Sequence, residues 1–209
     1  LDGVLWDGEP LYYQAMNDVL REYGYQLDFD EYQGLIGHGV EPCWQWLRQR
    51  FSLAEPLELL LEAYDRAVMR ILDRSVEPLP GVRKLMRELS ERKVPFGLAS
   101  SSLRPWVEAI LRGLSLENAV STTVAGNEVD NAKPAPDIYL EAAARLGVHP
   151  RDCLAIEDTP SGIAAAKAAG MFAVQVRSAS TAFPPLPEAD LVLSSLCKFD
   201  LSLLRTGRS

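Results

Sequence analysis

Cys153-Leu154-Ala155-Ile156-Glu157-Asp158-Thr159-Pro160-Ser161-Gly162 runs from a short apolar stretch into two adjacent carboxylates and then into a helix of small residues closed by Gly170. A strand followed by a helix is the repeating unit of a parallel sheet, and the same alternation extends on both sides of this segment. Val82, Leu85, Met86 and Leu89 recur at helical spacing after Pro80-Gly81, and Val94-Pro95-Phe96-Gly97-Leu98-Ala99 reads as a buried strand ending in Ser100-Ser101-Ser102. Trp106, Ile110 and Leu111 predict a helix, Thr122-Thr123-Val124-Ala125 a strand, and Ile138 to Leu146 a helix closed by Gly147. Phe172-Ala173-Val174-Gln175-Val176 adds a strand and Leu191-Val192-Leu193 an edge strand. The pattern predicts an α/β fold with a parallel sheet and crossover helices.

Residues 11–77 differ, with helical periodicity throughout. Leu11, Ala15, Met16, Val19, Leu20 and Tyr23 line one face of a first helix, Trp44 and Leu47 mark another, and Leu57 to Leu72 supplies a long last one. Proline-bearing connections, Glu9-Pro10 and Glu77-Pro78-Leu79-Pro80-Gly81, bracket this segment. It reads as an inserted all-helical domain, with 1–10 and 78–209 forming the α/β core.

The chain's 209 residues suffice for one well-buried domain with a small insertion, and its 47% hydrophobic and 24% charged content is globular. A net charge of -8 argues against nucleic-acid binding, which relies on clustered cations. No apolar run approaches a membrane span and no leader pattern is visible, so a soluble cytoplasmic protein is expected. Cys43, Cys153 and Cys197 form no Cys-x-x-Cys pair and have no His at ligand spacing, which predicts plain reduced thiols. The C-terminal tail from about Thr181 to Ser209, with Pro184, Pro185 and Pro187, is expected to wrap the core surface.

Glu157 and Asp158 repel one another at a strand end, and a cation offsets that repulsion. Oxygen donors without Cys or His favour Mg²⁺ over zinc. Lys133 lies in Asn131-Ala132-Lys133-Pro134-Ala135-Pro136-Asp137, where the proline pair stiffens the turn ahead of a helix that Asp137 is expected to cap. Lysine, serine run and acidic pair each follow a strand end, an arrangement suited to metal-assisted phosphoryl transfer.

Taken with Leu1-Asp2-Gly3-Val4-Leu5, these motifs resemble those of the haloacid dehalogenase-like hydrolases, in the branch of sugar-phosphate phosphatases and β-phosphoglucomutase, over Leu1 to about Val176. The resemblance implies a Rossmann-like core with helices on both faces, a helical cap that closes over the site, and Mg²⁺ as cofactor. It makes Asp2 the general acid and base, its carbonyl a metal contact, and places the nucleophilic aspartate one position before Leu1. That residue belongs to a strand in the middle of the family's sheet, without which the neighbouring edges would face one another across a gap. Lys133 would bridge nucleophile and phosphate, while Ser100 and the Ser101 N–H would bind phosphoryl oxygens. Asp158 would ligate the metal directly and Glu157 directly or through water. Asp7 and Glu9 stand at the hinge into the cap, with Glu9 and His38 the candidate substrate contacts, and Gly162 is expected to permit close packing.

A small phosphorylated metabolite, with sugar phosphates the class in view, is the expected substrate of a phosphomonoesterase working through an aspartyl-phosphate. A phosphomutase is the alternative, but such mutases carry a His where this chain has Tyr12, and an Arg-bearing cap string where it has Gly37-His38-Gly39-Val40. Phosphonate cleavage needs a cap lysine for a Schiff base, and no Lys occurs between Leu1 and Val82. A non-catalytic phosphate- or metal-binding relative is the third reading.

Overall fold

A computed structural model describes residues 1–73, 76–179 and 183–204. They divide into two compact units, Leu1–Asp7 with Glu77–Ser209, and Gly8–Val76. Of the tail considered above, Thr181, Ala182 and residues 205–209 lie outside the described residues.

Among the described residues the second unit holds four helices, α1 (Glu9–Glu22), α2 (Phe29–Gln33), α3 (Val40–Arg50) and α4 (Leu57–Leu72). Apolar residues three and four apart give α4 a buried face of Leu60, Tyr64, Ala67, Val68 and Leu72, packed against α1 and α3. Trp44 of α3 meets the ring of Tyr64 at 5.4 Å between centroids. Asn17, buried in α1, accepts the Leu27 backbone N–H at 2.9 Å and so ties the following loop to the helix. Helix α2 has no counterpart in the periodicity because it is a single short turn, started by Asp28, whose side chain accepts the Glu31 N–H at 2.9 Å.

The first unit continues as α5 (Val82–Glu91), β1 (Gly97–Ala99), α6 (Arg104–Leu114), β2 (Thr122–Val124), α7 (Asp137–Leu146), β3 (Leu154–Glu157), α8 (Pro160–Ala168), β4 (Phe172–Val176) and β5 (Leu191–Leu193). All strand pairs are parallel. β1 pairs with β2, Leu98 opposite Thr123, while β3 pairs with β4, Ile156 opposite Val174, and β4 with β5. Helix α7 packs on β1 and β2, α8 on β3 and β4, and their alanines meet in one core with Ile138, Ile163 and Met171.

Three strands differ from expectation, and of these β2 ends at Val124, one residue before the expected Ala125. β1 begins at Gly97 because Pro95 cannot donate to a ladder and the Val94 N–H is used to close α5 on the Leu89 carbonyl. β3 starts one residue later, at Leu154, since Cys153 follows a 3₁₀ turn over Pro150–Asp152, and Glu157 is its last residue. The tail packs as expected over its described part. Leu196 and Leu201 are buried, and the buried Gln175 amide donates to the Pro184 carbonyl and accepts the Leu186 N–H.

The described strands form two separate sheets, β1-β2 and β3-β4-β5. Leu98 and Ala99 of β1 and Leu154, Ala155 and Ile156 of β3 line a cavity of about 500 Å³, with Leu1 among its walls.

Candidate active site

The strand ends of the α/β unit carry the acidic pair, the serine run and, through the loop before α7, the lysine. Glu157 is drawn inward by the pleat of β3, whose alternate residues Ala155 and Glu157 are buried. Lys133 reaches it from the loop and donates to its Oε1 at 2.5 Å, and to the Ala99 carbonyl at the end of β1 at 3.3 Å. The Lys133–Pro134 peptide is cis. The hydroxyl of Tyr139, on α7, donates to the same Oε1, and the Lys133 ammonium lies 5.0 Å from the centre of the Tyr139 ring.

Burial opposes the charge on Glu157, but the Lys133 ammonium and the two donors outweigh it and hold its carboxyl below the usual range. Asp158 stands in the opposite situation. Burial first, then the charges of Glu157 and Asp2, push its carboxyl up to about 8 against the counter-pull of Lys133. Two glycines let these carboxylates sit close to backbone. A Cβ on Gly162, at the start of α8, would lie 2.2 Å from the Glu157 carboxyl carbon, and one on Gly3 would lie 1.9 Å from Oδ2 of Asp158.

Leu1 to Trp6 form a tight turn, with the Gly3 N–H on the Trp6 carbonyl at 2.9 Å and φ of 67° at Gly3, a conformation glycine adopts freely. Asp2 follows from that turn and accepts a hydrogen bond from the Ser102 hydroxyl at 2.9 Å. Ser100 is buried; its N–H donates to the Val124 carbonyl and its Oγ accepts the Ser102 N–H at 3.2 Å. Ser101 is exposed, and its carbonyl backs onto Gly126, where a Cβ would approach to 2.3 Å.

The structure therefore gathers Lys133 with Glu157, and Asp2 with Ser102, while Asp158 lies close enough to Glu157 and Asp2 to feel both charges. Among the described residues no three His, Cys, Asp or Glu side chains converge as a ligand cluster. The donor chemistry still fits a hard cation: the carboxylates are oxygen-only, and the anion of Asp158 is disfavoured until an added positive charge offsets its neighbours.

Glu9 and His38 lie in the helical unit. The Glu9 carboxylate accepts from the Tyr32 hydroxyl, and His38 Nδ1 is 3.3 Å from the Leu35 carbonyl. Asp137 does not cap α7: it is the first helical residue, and its Oδ1 accepts from Asn131 at 2.8 Å, joining the two ends of the lysine loop. No disulfide joins the cysteines; burial, and secondarily the Glu9 charge, pushes the Cys43 thiol up to about 11. Sequence reasoning did not single out Tyr139 or Ser102. Tyr139 reads as a core aromatic on an amphipathic helix, and Ser102 as the third of three identical residues, so neither stands out without its partner in space.

Comparison with known proteins adds a family. A model of the haloacid dehalogenase-like hydrolases matches residues 1–170. The chain is 38% identical over 205 residues to a probable pseudouridine-5'-phosphatase of Drosophila melanogaster, covering 95% of this chain and 88% of that protein. It is 37% identical over 181 residues to the fructose-1-phosphate phosphatase YqaB of Escherichia coli K12, covering 85% and 93%. In fold it is similar to the crystal structure of CbbY from Rhodobacter sphaeroides in complex with phosphate, with TM-score 0.85 at 24% identity over 95% of this chain and 92% of that one. Parallel strands crossed by helices, acidic strand ends and these relatives agree: the chain belongs to the haloacid dehalogenase-like hydrolases, in the branch of sugar-phosphate phosphatases and β-phosphoglucomutase, and is a phosphatase acting on phosphoric monoesters.

Proposed function

We propose that the protein is a Mg²⁺-dependent phosphomonoesterase of small phosphorylated metabolites, sugar phosphates being the substrate class, working in the cytoplasm. The observation that carries this reading is the buried Lys133–Glu157 pair beside Asp158, whose carboxyl is held up by burial and by the charges of Glu157 and Asp2. Asp158 and Glu157, with the Asp2 carbonyl, would hold Mg²⁺, which when bound supplies charge stabilisation to the phosphoryl oxygens. Lys133 adds a second positive charge there. The Ser100 hydroxyl and the Ser101 N–H orient the phosphoryl group by hydrogen bonding. Asp2 gives its proton to the departing alcohol oxygen as general acid, then takes one from water for hydrolysis of the aspartyl-phosphate formed on the family's nucleophilic aspartate. The Ser102 hydroxyl, 2.9 Å away, orients that carboxyl.

We further propose that residues 11–77 are the cap domain and that 1–10 with 78–209 are the catalytic core, with Glu9 and His38 as cap-side substrate contacts. Tyr12 and Gly37-His38-Gly39-Val40 stand where a phosphoglucose mutase would carry His and an Arg-bearing string, which supports hydrolysis over isomerisation.

The test is phosphate release from a panel of phosphorylated metabolites with and without Mg²⁺, beside Asp158→Ala. We expect Mg²⁺-dependent release that falls about a hundredfold or more in the variant. Interconversion of sugar-phosphate isomers in place of release would favour the mutase, and silence in both assays the non-catalytic binding relative.

A further inference from the structure

The Glu157 carboxylate is asymmetric in its surroundings. Oε1 receives two donors, the Lys133 ammonium and the Tyr139 hydroxyl, which occupy both of its lone pairs. Among the described residues Oε2 receives only the adjacent Asp158 N–H at 3.3 Å, and it packs on Gly162, where a Cβ would lie 2.2 Å away. Tyr139 also presents its ring face to the Lys133 ammonium at 5.0 Å, which draws the cation by the ring quadrupole. One buried side chain thus contacts both members of the ion pair, through two different parts of its ring system.

We propose that Tyr139 is a positioning residue, whose hydroxyl fixes Glu157 with Oε1 turned inward so that Oε2 alone is presented to the metal, and whose ring fixes Lys133. The proposal deepens the Mg²⁺-dependent reading given above and rests on it. Phenylalanine at this position would keep the ring under Lys133 but release Oε1 to a single donor. The carboxylate could then rotate about its last torsion, a broad well with no staggered preference. Groups that orient a ligand in this way typically set metal affinity by about 10- to 100-fold.

The experiment titrates Mg²⁺ calorimetrically into wild type, Tyr139→Phe and Asp158→Ala, with thermal unfolding midpoints, kcat and KM measured on the same preparations. For Tyr139→Phe we expect an unchanged unfolding midpoint, Mg²⁺ affinity weaker by about tenfold, and kcat reduced at low Mg²⁺ but recovered at high Mg²⁺. Competitive inhibition by inorganic phosphate should remain at the wild-type level, because the ring still supports Lys133. Tyr139→Leu, lacking the ring, should lose phosphate inhibition as well. Wild-type Mg²⁺ affinity in Tyr139→Phe, with binding abolished in Asp158→Ala, overturns the role of Tyr139 and leaves the phosphatase reading standing. Absence of Mg²⁺ binding in wild type itself overturns the metal reading and this proposal together. A parallel fall of midpoint and affinity in Tyr139→Phe, without recovery of kcat at high Mg²⁺, marks a purely structural residue and also rejects it.

Discussion

Gly162 and Gly126 look alike in sequence, yet the atoms they would displace differ. A methyl group on Gly162 meets the end of the Glu157 side chain, which can yield, whereas one on Gly126 meets the Ser101 carbonyl, which is backbone and cannot. Gly162→Ala is therefore accommodated by displacing Glu157 from Lys133, which leaves a buried charge unpaired and should cost about 3–5 kcal/mol in urea unfolding. Phosphatase activity should fall at least about tenfold, by the same logic that makes ligand-orienting groups costly to remove. Loss of several kcal/mol with activity intact would show that the glycine serves packing alone. The sequence made Glu157, Asp158, Lys133 and Asp2 legible as candidates, because each is a charged residue at or beside a predicted strand end. It could not show that Glu157 and Lys133 pair, that Ser102 reaches Asp2 across 100 residues, or that Tyr139 is more than a core aromatic. Those facts depend on which side chains two distant strands bring to one end.

At the scale of elements, periodicity did best where a helix has one wet and one dry face. The long helix read from Leu57 to Leu72 is α4 residue for residue, and α7 starts one residue before the expected Ile138 and ends at Leu146 as read. It did worst where local chemistry ends an element early, as at Pro95 before β1, or starts one too short to show a period, as at Asp28 before α2. Leu60 lies on the fully buried face of α4 where it meets α1 and α3. Leu60→Ala should destabilise the helical unit by about 2–5 kcal/mol, the usual cost of a large-to-small change in a packed core. Urea unfolding followed by circular dichroism measures it, and a shift under 1 kcal/mol would mean that the face can collapse around the loss.

For the whole molecule, the described residues divide into two compact units, a helical one and an α/β one whose strands pair in parallel.

By itself the sequence determined the alternation of strands and helices and the family, because these follow from periodicity, turn residues and short charged motifs that act locally. Only the tertiary structure decided that Glu157 pairs with Lys133 while Asp158 is left costly as an anion. Charge coupling, burial and strand pairing depend on distances between residues far apart in the chain, and no local pattern records those distances.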